Sequence, residues 1–538
     1  MIRTATILLF QSFCFLAFAN TPPEPIPSLT IRSDAAAPKW DHGYPVGNGR
    51  IGLLSFGAWP AESLYLNENS VWAKQEVAYY EGAADIIRDV RELAVAGKYK
   101  EADTLFKSTL IKNTWRPASY EFAGMAMVEH LGIGEPDALV NTLDLTTGLN
   151  RSEASYSDGT IAREVIALRN RDVIAMRICT TRPGGLHFKL SLNHPRDSVA
   201  VNDDRLVLSG QAANGGTRYQ SHLQILPGIG STLTTRSNAL ELKGGNEALI
   251  LFTAATDYNN DNADQPLIDW KGKADNWLSG ASEADWNVLN AEGQNEMRAF
   301  MDRFHLDLGQ TALGISSLPT GERIKEYSNG GQDPDLEELL FQFGRYCLVA
   351  SNRDSGLPNN LQGIWSDKLI SPWSADYHLN INLQMNYWPS EPTGLSELHQ
   401  PFLDFVSDLQ PSGQKLAEHL GYEGFCCGHA VNAWKNTWFS GIRPRHSASL
   451  LNGAWITAHL MEHYRYTGDR EFLEKKAWPA IQENARFILS WLHRDEKTGE
   501  WITGPGTSPE NQFTYRAGTN TLSAAISCGT THDLMLSW

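Results

Sequence analysis

The hydrophobic pattern of this 538-residue chain changes period once, and that change constrains the fold more than any other feature. From about residue 28 to residue 256, apolar residues recur at every second position in short runs. Leu186, Phe188, Leu190 and Leu192 alternate with His187, Lys189 and Ser191, which places one set on one face of a strand. Residues 173–178, 206–208 and 248–253 read as further strands, with turn signals at Pro183-Gly184-Gly185 and Gly244-Gly245-Asn246. Many short punctuated strands predict a sandwich. One helical insertion interrupts them: Ile86, Ile87, Val90, Leu93 and Ala94 share a face, and Gly97 ends it. Residues 283–306, with Trp286, Leu289, Met297 and Phe300, read as a linker helix. Beyond Asp333 the period is helical to the end. The expected helices are 336–351 (Leu339, Leu340, Phe343, Tyr346 and Cys347 on one side), 398–419 broken at Pro411-Ser412-Gly413, 455–466, 471–492 and 521–538. Helices joined by long Trp- and Pro-rich loops predict an α/α toroid, and no short solenoid repeat is visible. The expected class is α+β and multidomain, with a β-sandwich over 20–280, a helical linker over 281–330 and part of a helical barrel over 331–538.

Residues 1–19 read as an export signal. Arg3 precedes an apolar run over 7–18, interrupted only by Gln11 and Ser12, and Ala17-Phe18-Ala19 is a small-residue cleavage site. The run is too short to cross a bilayer comfortably, and no later segment has 18 continuous apolar residues. The expectation is an exported protein, secreted or periplasmic, without a membrane span. The formal net charge of −17 comes with no basic stripe, which argues against a nucleic-acid partner. The 17 Trp, 17 Tyr and 20 Phe suit a site that stacks on sugar rings, although large aromatics also fill cores. Cleavage of the signal removes Cys14 and leaves five cysteines, an odd number without the spacing of a disulfide scaffold. Cys426 and Cys427 read as small apolar side chains at a loop rather than as a metal or redox pair.

Two stretches carry candidate chemistry. Residues 355–391 are crowded with Asn, Trp and Tyr. Asn380 and Asn382 lie at i and i+2, so on an extended segment both amides point to one side and two carbonyls could hold a water. The same amides could instead satisfy backbone groups of a rigid loop. In Gly504-Pro505-Gly506-Thr507-Ser508-Pro509-Glu510-Asn511, Glu510 follows Trp501 closely. A carboxyl desolvated by aromatic walls can act as a general acid. Equally, Ser508 could cap a helix with Pro509 in its first turn. His459-Leu460-Met461-Glu462-His463 matches an H-x-x-E-H zinc pattern, but Trp455 shares its helix face, so it reads as packing. No phosphate-binding loop, nucleophile elbow or dinucleotide fingerprint is present.

These stretches resemble glycoside hydrolase family 95. The resemblance is carried by residues 40–52 (WDHGYPVGNGRIG), 66–72 (LNENSVW), 318–324 (LPTGERI), 341–346 (FQFGRY), the Asn-rich loop, residues 453–469 and 507–511 (TSPEN). It implies a β-sandwich, a helical linker and an (α/α)6 barrel, of which this chain would hold an incomplete part. It implies an inverting exo-α-L-fucosidase without metal or organic cofactor, acting on terminal fucose of oligosaccharides or polysaccharides. The alternatives are an α-L-galactosidase of the same family and an inactive sugar-binding protein. By resemblance Glu510 would be the general acid, Asn380 and Asn382 would hold the attacking water, and His378, His429 and Trp434 would contact sugar. A late Asp that polarises the amides would lie beyond Trp538. Ala430 and Val431 depart from the family pattern, although His429 and Trp434 keep it. An incomplete toroid is expected to expose apolar helix faces, so the sandwich alone, about residues 20–280, is expected to survive proteolysis.

Overall fold

The computed structural model describes residues 29–75, 80–111 and 118–538. The expected export signal at 1–19 lies outside them.

The first half forms two antiparallel sheets. In the nine-stranded sheet the order is Thr30–Ser33, Ala138–Asp144, Asn150–Tyr156, Gly159–Leu168, Val173–Thr180, Glu247–Thr256, Arg218–Pro227, Arg205–Gln211 and Ser198–Asn202. In the seven-stranded sheet it is Ser231–Thr235, Ala239–Gly244, His187–Asn193, Gly124–His130, Ala61–Glu68, Ile51–Ser55 and Tyr44–Gly47. The alternation in the sequence decides the faces: Phe188, Leu190 and Leu192 are buried while His187 and Lys189 are only partly so. Phe188 pairs with Leu242 on one neighbour and His130 on the other. The inner faces pack together through Val46, Leu64, Val128 and Phe188 from one sheet and Met176, Ile178, Ile250 and Phe252 from the other. Burying each such side chain stabilises the fold by roughly 1.5–3 kcal/mol before chain entropy is counted.

Helices cover the outer face of the larger sheet. Lys271–Ser282 and Trp286–Met301 bury Leu278, Ala281, Trp286 and Leu289 against Ile166, Leu168, Leu249 and Leu251. Residue 280, the expected end of the sandwich domain, lies inside the first of these helices. The insertion contains two helices where the period suggests one, Ala83–Val95 and Tyr99–Thr109. Its face is as expected, with Ile87, Val90 and Ala94 buried and Gly97 at φ 76 after the helix end.

The second half is a helical region interrupted by long loops, not a continuous run of helices. Pro334–Ser351 is capped by the Asp333 carboxylate, which accepts from Leu336 N at 3.0 Å. It buries Leu339 and Tyr346 but turns Leu340 outward. Ser396–His419 runs through Pro401 and Pro411 unbroken, contrary to the expected break. Leu409, Gly413 and Leu416 are buried on either side of Pro411, so packing holds the helix where one hydrogen bond is lost. Asn452–Thr467 and Trp478–Trp491 follow, the second preceded by Arg470–Phe472 and a π turn at Leu473–Ala477. The helix expected over 521–538 is absent as such. A hairpin of Phe513–Ala517 and Asn520–Ala524 occupies its start, and only Thr531–Ser537 is helical. Among the described residues no helix is long and apolar enough to cross a membrane.

The halves share a core. Tyr44, Leu54, Trp72 and Leu143 of the sandwich cluster with Leu339, Tyr346, Trp365, Tyr377 and Phe405 of the helical half. The sandwich has its own interior, and its barrel-facing side is completed by helices.

Candidate active site

A cavity of about 550 Å³ opens where the two halves meet. Lys74 and Glu121 line it from the sandwich, and Asp376, His378, His429, His446 and Glu510 line it from the loops of the helical half.

The loop after Ser371 builds one wall. Trp373, Ser374 and Ala375 take φ values of 51, 60 and 50, three consecutive left-handed residues without a glycine. Such conformations cost of order 1–3 kcal/mol each and persist only where the surroundings fix them. Here Tyr120 N donates to Ser374 O at 3.0 Å, Ser374 N donates to Ser371 O at 2.8 Å, and Ala375 is fully buried. The turn delivers the chain into Tyr377–His378, which pairs antiparallel with Ala430–Val431. Leu379 N donates to His429 O at 2.7 Å, and the His378 and His429 rings meet edge to face with centroids 5.3 Å apart.

His378 Nδ1 donates to the carboxylate of buried Asp376, which leaves Nε2 for the cavity. Burial disfavours a charged His378, but the Asp376 carboxylate beside it, helped by Glu510, outweighs burial and raises its pKa above the ordinary value. Burial raises the Asp376 pKa against the opposing pull of His378. His429 is held neutral: burial, then the neighbouring His378 and His446, push its pKa well below the usual range.

Asn380 and Glu510 come together. Asn380 Nδ2 donates to Glu510 Oε1 at 3.3 Å, and among the described residues the buried Asn380 Oδ1 has no hydrogen-bond partner. Asn382 does not join them. The extended run ends at His378, the chain turns, and Asn382 is the exposed first residue of the short helix Asn382–Tyr387. The shared-side argument for the two amides is therefore corrected, because it requires an extended segment that the turn removes. The helix-capping expectation for the Glu510 loop is corrected. No helix starts at Ser508; the chain turns at Pro509-Glu510 and enters the hairpin. Glu510 faces the Asn380 amide and the His446 imidazole, whose Nε2 is 3.8 Å from Oε2, and its side chain is 45% exposed. His446 itself has a lowered pKa, through burial first, with Glu510 opposing and Arg445 and Arg443 adding to it.

Trp434 is outside the lining. Its Nε1 donates to Ala73 O at 2.7 Å, and Lys74 Nζ sits 5.2 Å from the ring centroid, so it buttresses the Lys74 side of the cavity. His446 and Trp373 are lining residues to which no role was given from sequence. For Asp376 a signal existed, since Asp and His two apart share a side on any extended stretch.

The histidines of H-x-x-E-H belong to a different, buried cluster. Glu391 Oε1 accepts from His399 Nδ1 at 2.8 Å and from His463 Nδ1 at 2.7 Å, and His399 Nε2 lies 3.0 Å from His459 Nδ1. The ligand atoms of Glu391, His399 and His463 lie within 4.8 Å of one another, a set that could also hold a cation. Glu462, the acid of the motif, pairs with Arg465 and is about half exposed. Cys426 and Cys427 are fully buried, and burial pushes both thiols up.

Residues 285–538 match the model of the glycosyl hydrolase family 95 catalytic domain, and residues 31–261 match that of the glycosyl hydrolase family 65 N-terminal domain. The chain is 29% identical to Alpha-L-fucosidase 2 of Arabidopsis thaliana, over 92% of this chain and 62% of that protein. It is 27% identical to "Probable alpha-fucosidase A" of Aspergillus niger, over 92% of this chain and 64% of that protein. The chain thus spans under two thirds of the length of these curated relatives. A solved structure described as a kojibiose phosphorylase from the human microbiome superposes with a TM-score of 0.59 at 11% identity, covering 89% of this chain and 62% of that one. That likeness is one of fold: β-rich sheets followed by a six-hairpin-type helical region.

Proposed function

We propose, from the premise that residues 285–538 belong to the glycosyl hydrolase family 95 catalytic-domain family, that the protein is an exported exo-α-L-fucosidase acting with inversion. The fucoside assignment draws on the names of the relatives at 27–29% identity. Export draws on the N-terminal signal pattern.

In this reading Glu510 protonates the glycosidic oxygen as it leaves, and a water held by Asn380 attacks from the other face of the sugar. One observation carries it: Asn380 presents a buried carbonyl oxygen that has no partner among the described residues, in direct continuity with the Glu510 carboxyl. An unsatisfied buried acceptor costs roughly 1–3 kcal/mol, and a water hydrogen would relieve that cost. The Asn380–Glu510 contact closes the space in which a pyranose would lie between acid and water, so substrate binding must break it. In the same reading His378 and His429, which line the cavity, bind sugar hydroxyls.

Glu510→Gln tests the acid. Turnover of natural fucosides should fall by roughly 10²–10⁴-fold, with much smaller losses on substrates whose leaving group needs no proton. Equal losses on both would remove Glu510 from the role. NMR of the first-formed sugar should show the β anomer; an α product would mean retention and a different pair of groups. Cleavage of α-L-galactosides as fast as fucosides would replace the substrate assignment.

A further inference from the structure

We propose that Trp373 and the apolar rim beside it form a second sugar subsite, one that takes the ring to which the fucosyl residue is attached. This rests on the fucoside reading of the cavity. Trp373 lines the cavity but leaves 74% of its surface open, and Ile370 and Ile442, 69% and 43% exposed, line the same mouth. A single exposed apolar side chain needs no explanation. Three at one opening, contributed by two separate loops, make an apolar lip over a polar floor.

The backbone is arranged to produce this contrast. The three left-handed residues send Trp373 outward, and three and five positions after it Asp376 and His378 face inward. The turn is clamped to Tyr120, a fully buried residue of the sandwich, so the indole stands on a fixed support. Glu510 lines the same cavity and is partly open to solvent, as a proton donor at the junction of two sugar units must be. A terminal sugar whose hydroxyls reach His378 and His429 therefore points its glycosidic oxygen outward. The next ring then lies at the mouth, where the C–H face of a hexopyranose can stack on the indole. The class of ligand is an α-L-fucosyl disaccharide or longer glycan with a pyranose leaving group.

The test is calorimetric titration of the protein in a Glu510→Gln background, which keeps the ligands intact. The probes are L-fucose and the α1→2, α1→3 and α1→4 fucosyl-galactose and fucosyl-glucosamine disaccharides. At least one disaccharide should bind more tightly than fucose. Trp373→Ala should weaken that disaccharide roughly three- to tenfold while leaving fucose unchanged, the scale of one aromatic contact. Trp373→Phe should keep most of the affinity, which separates stacking from damage to the turn. No gain of any disaccharide over fucose, or equal loss of both ligands in Trp373→Ala, overturns the subsite and leaves the fucoside reading standing. No binding of any probe before Trp373 is changed overturns that reading and the subsite with it.

Discussion

Asp376 and His378 show how two residues set each other's charge at the site. The carboxylate holds the imidazole above its ordinary pKa although burial acts against it. A group raised in this way stabilises the fold below its unfolded pKa, near 6.5, and that stability is lost as the pH rises through the folded value. Asp376→Asn keeps an acceptor at Nδ1 but removes the charge, so burial dominates. The His378 ring carbons should then titrate below the ordinary histidine range in NMR, and an unchanged midpoint would sink the pairing. Residue identities at the site were legible in the sequence to an uneven degree. Glu510, Asn380, His378 and His429 all line or touch the cavity. Asn382 fails because its argument needed an extended backbone, and side-chain spacing cannot report a turn at Leu379-Asn380. His446 was invisible, since nothing around Arg443-Pro444-Arg445-His446 says that this loop folds back on Glu510.

Among the elements, Ser396–His419 and Asn452–Thr467 are joined to the loop before them through Glu391. Burial alone would raise this carboxyl, but donation from His399, His463 and Ser396 outweighs it and holds the pKa well below the ordinary range. The resulting stability is present above the unfolded value near 4.5 and is lost as the pH falls towards the folded one. Glu391→Ala orphans two imidazole donors and should cost about 3–5 kcal/mol in denaturant unfolding. Glu391→Gln should flatten the acid limb of the stability curve; an unchanged limb would show that the cluster does not carry it. The helix periods found these helices because each buries one stripe. The period misled at the Phe513–Ala517 and Asn520–Ala524 hairpin, where Tyr515 and Leu522 face each other across the ladder. Long-range partners hold that hairpin. Tyr99 packs edge to face on Phe513 and Tyr515, and Asp103 accepts from the backbone of Ala525 and Ile526 at 3.0–3.2 Å. Contacts across more than 400 positions leave no local trace in a sequence.

At the scale of the whole molecule the two halves are stitched together through backbone. Tyr346 Oη donates to Pro45 O at 2.7 Å, and Trp365 Nε1 donates to Val46 O at 3.0 Å. Arg169 donates to the carbonyls of Val349 and Asn352 at 2.9 and 2.8 Å. Gly49, at φ 90, lies so close to Asn352 that a methyl there would stand 2.2 Å from its carbonyl oxygen. Gly49→Ala should therefore lower stability by roughly 1–3 kcal/mol. Because the core is shared, far-UV and tryptophan signals should shift together; two separated transitions would show that the halves fold independently. The sequence revealed two halves because their periods differ, yet a change of period says nothing about whether the parts adhere. The stitching has a consequence for how such chains can diversify. Recombination at the connection between Thr256 and Lys271 would pair each barrel with a foreign partner whose carbonyls no longer meet Tyr346 and Trp365 and which has no Arg169 to donate to the Val349 and Asn352 carbonyls. New specificities are better reached by exchanging the loops around the cavity than by shuffling its two halves.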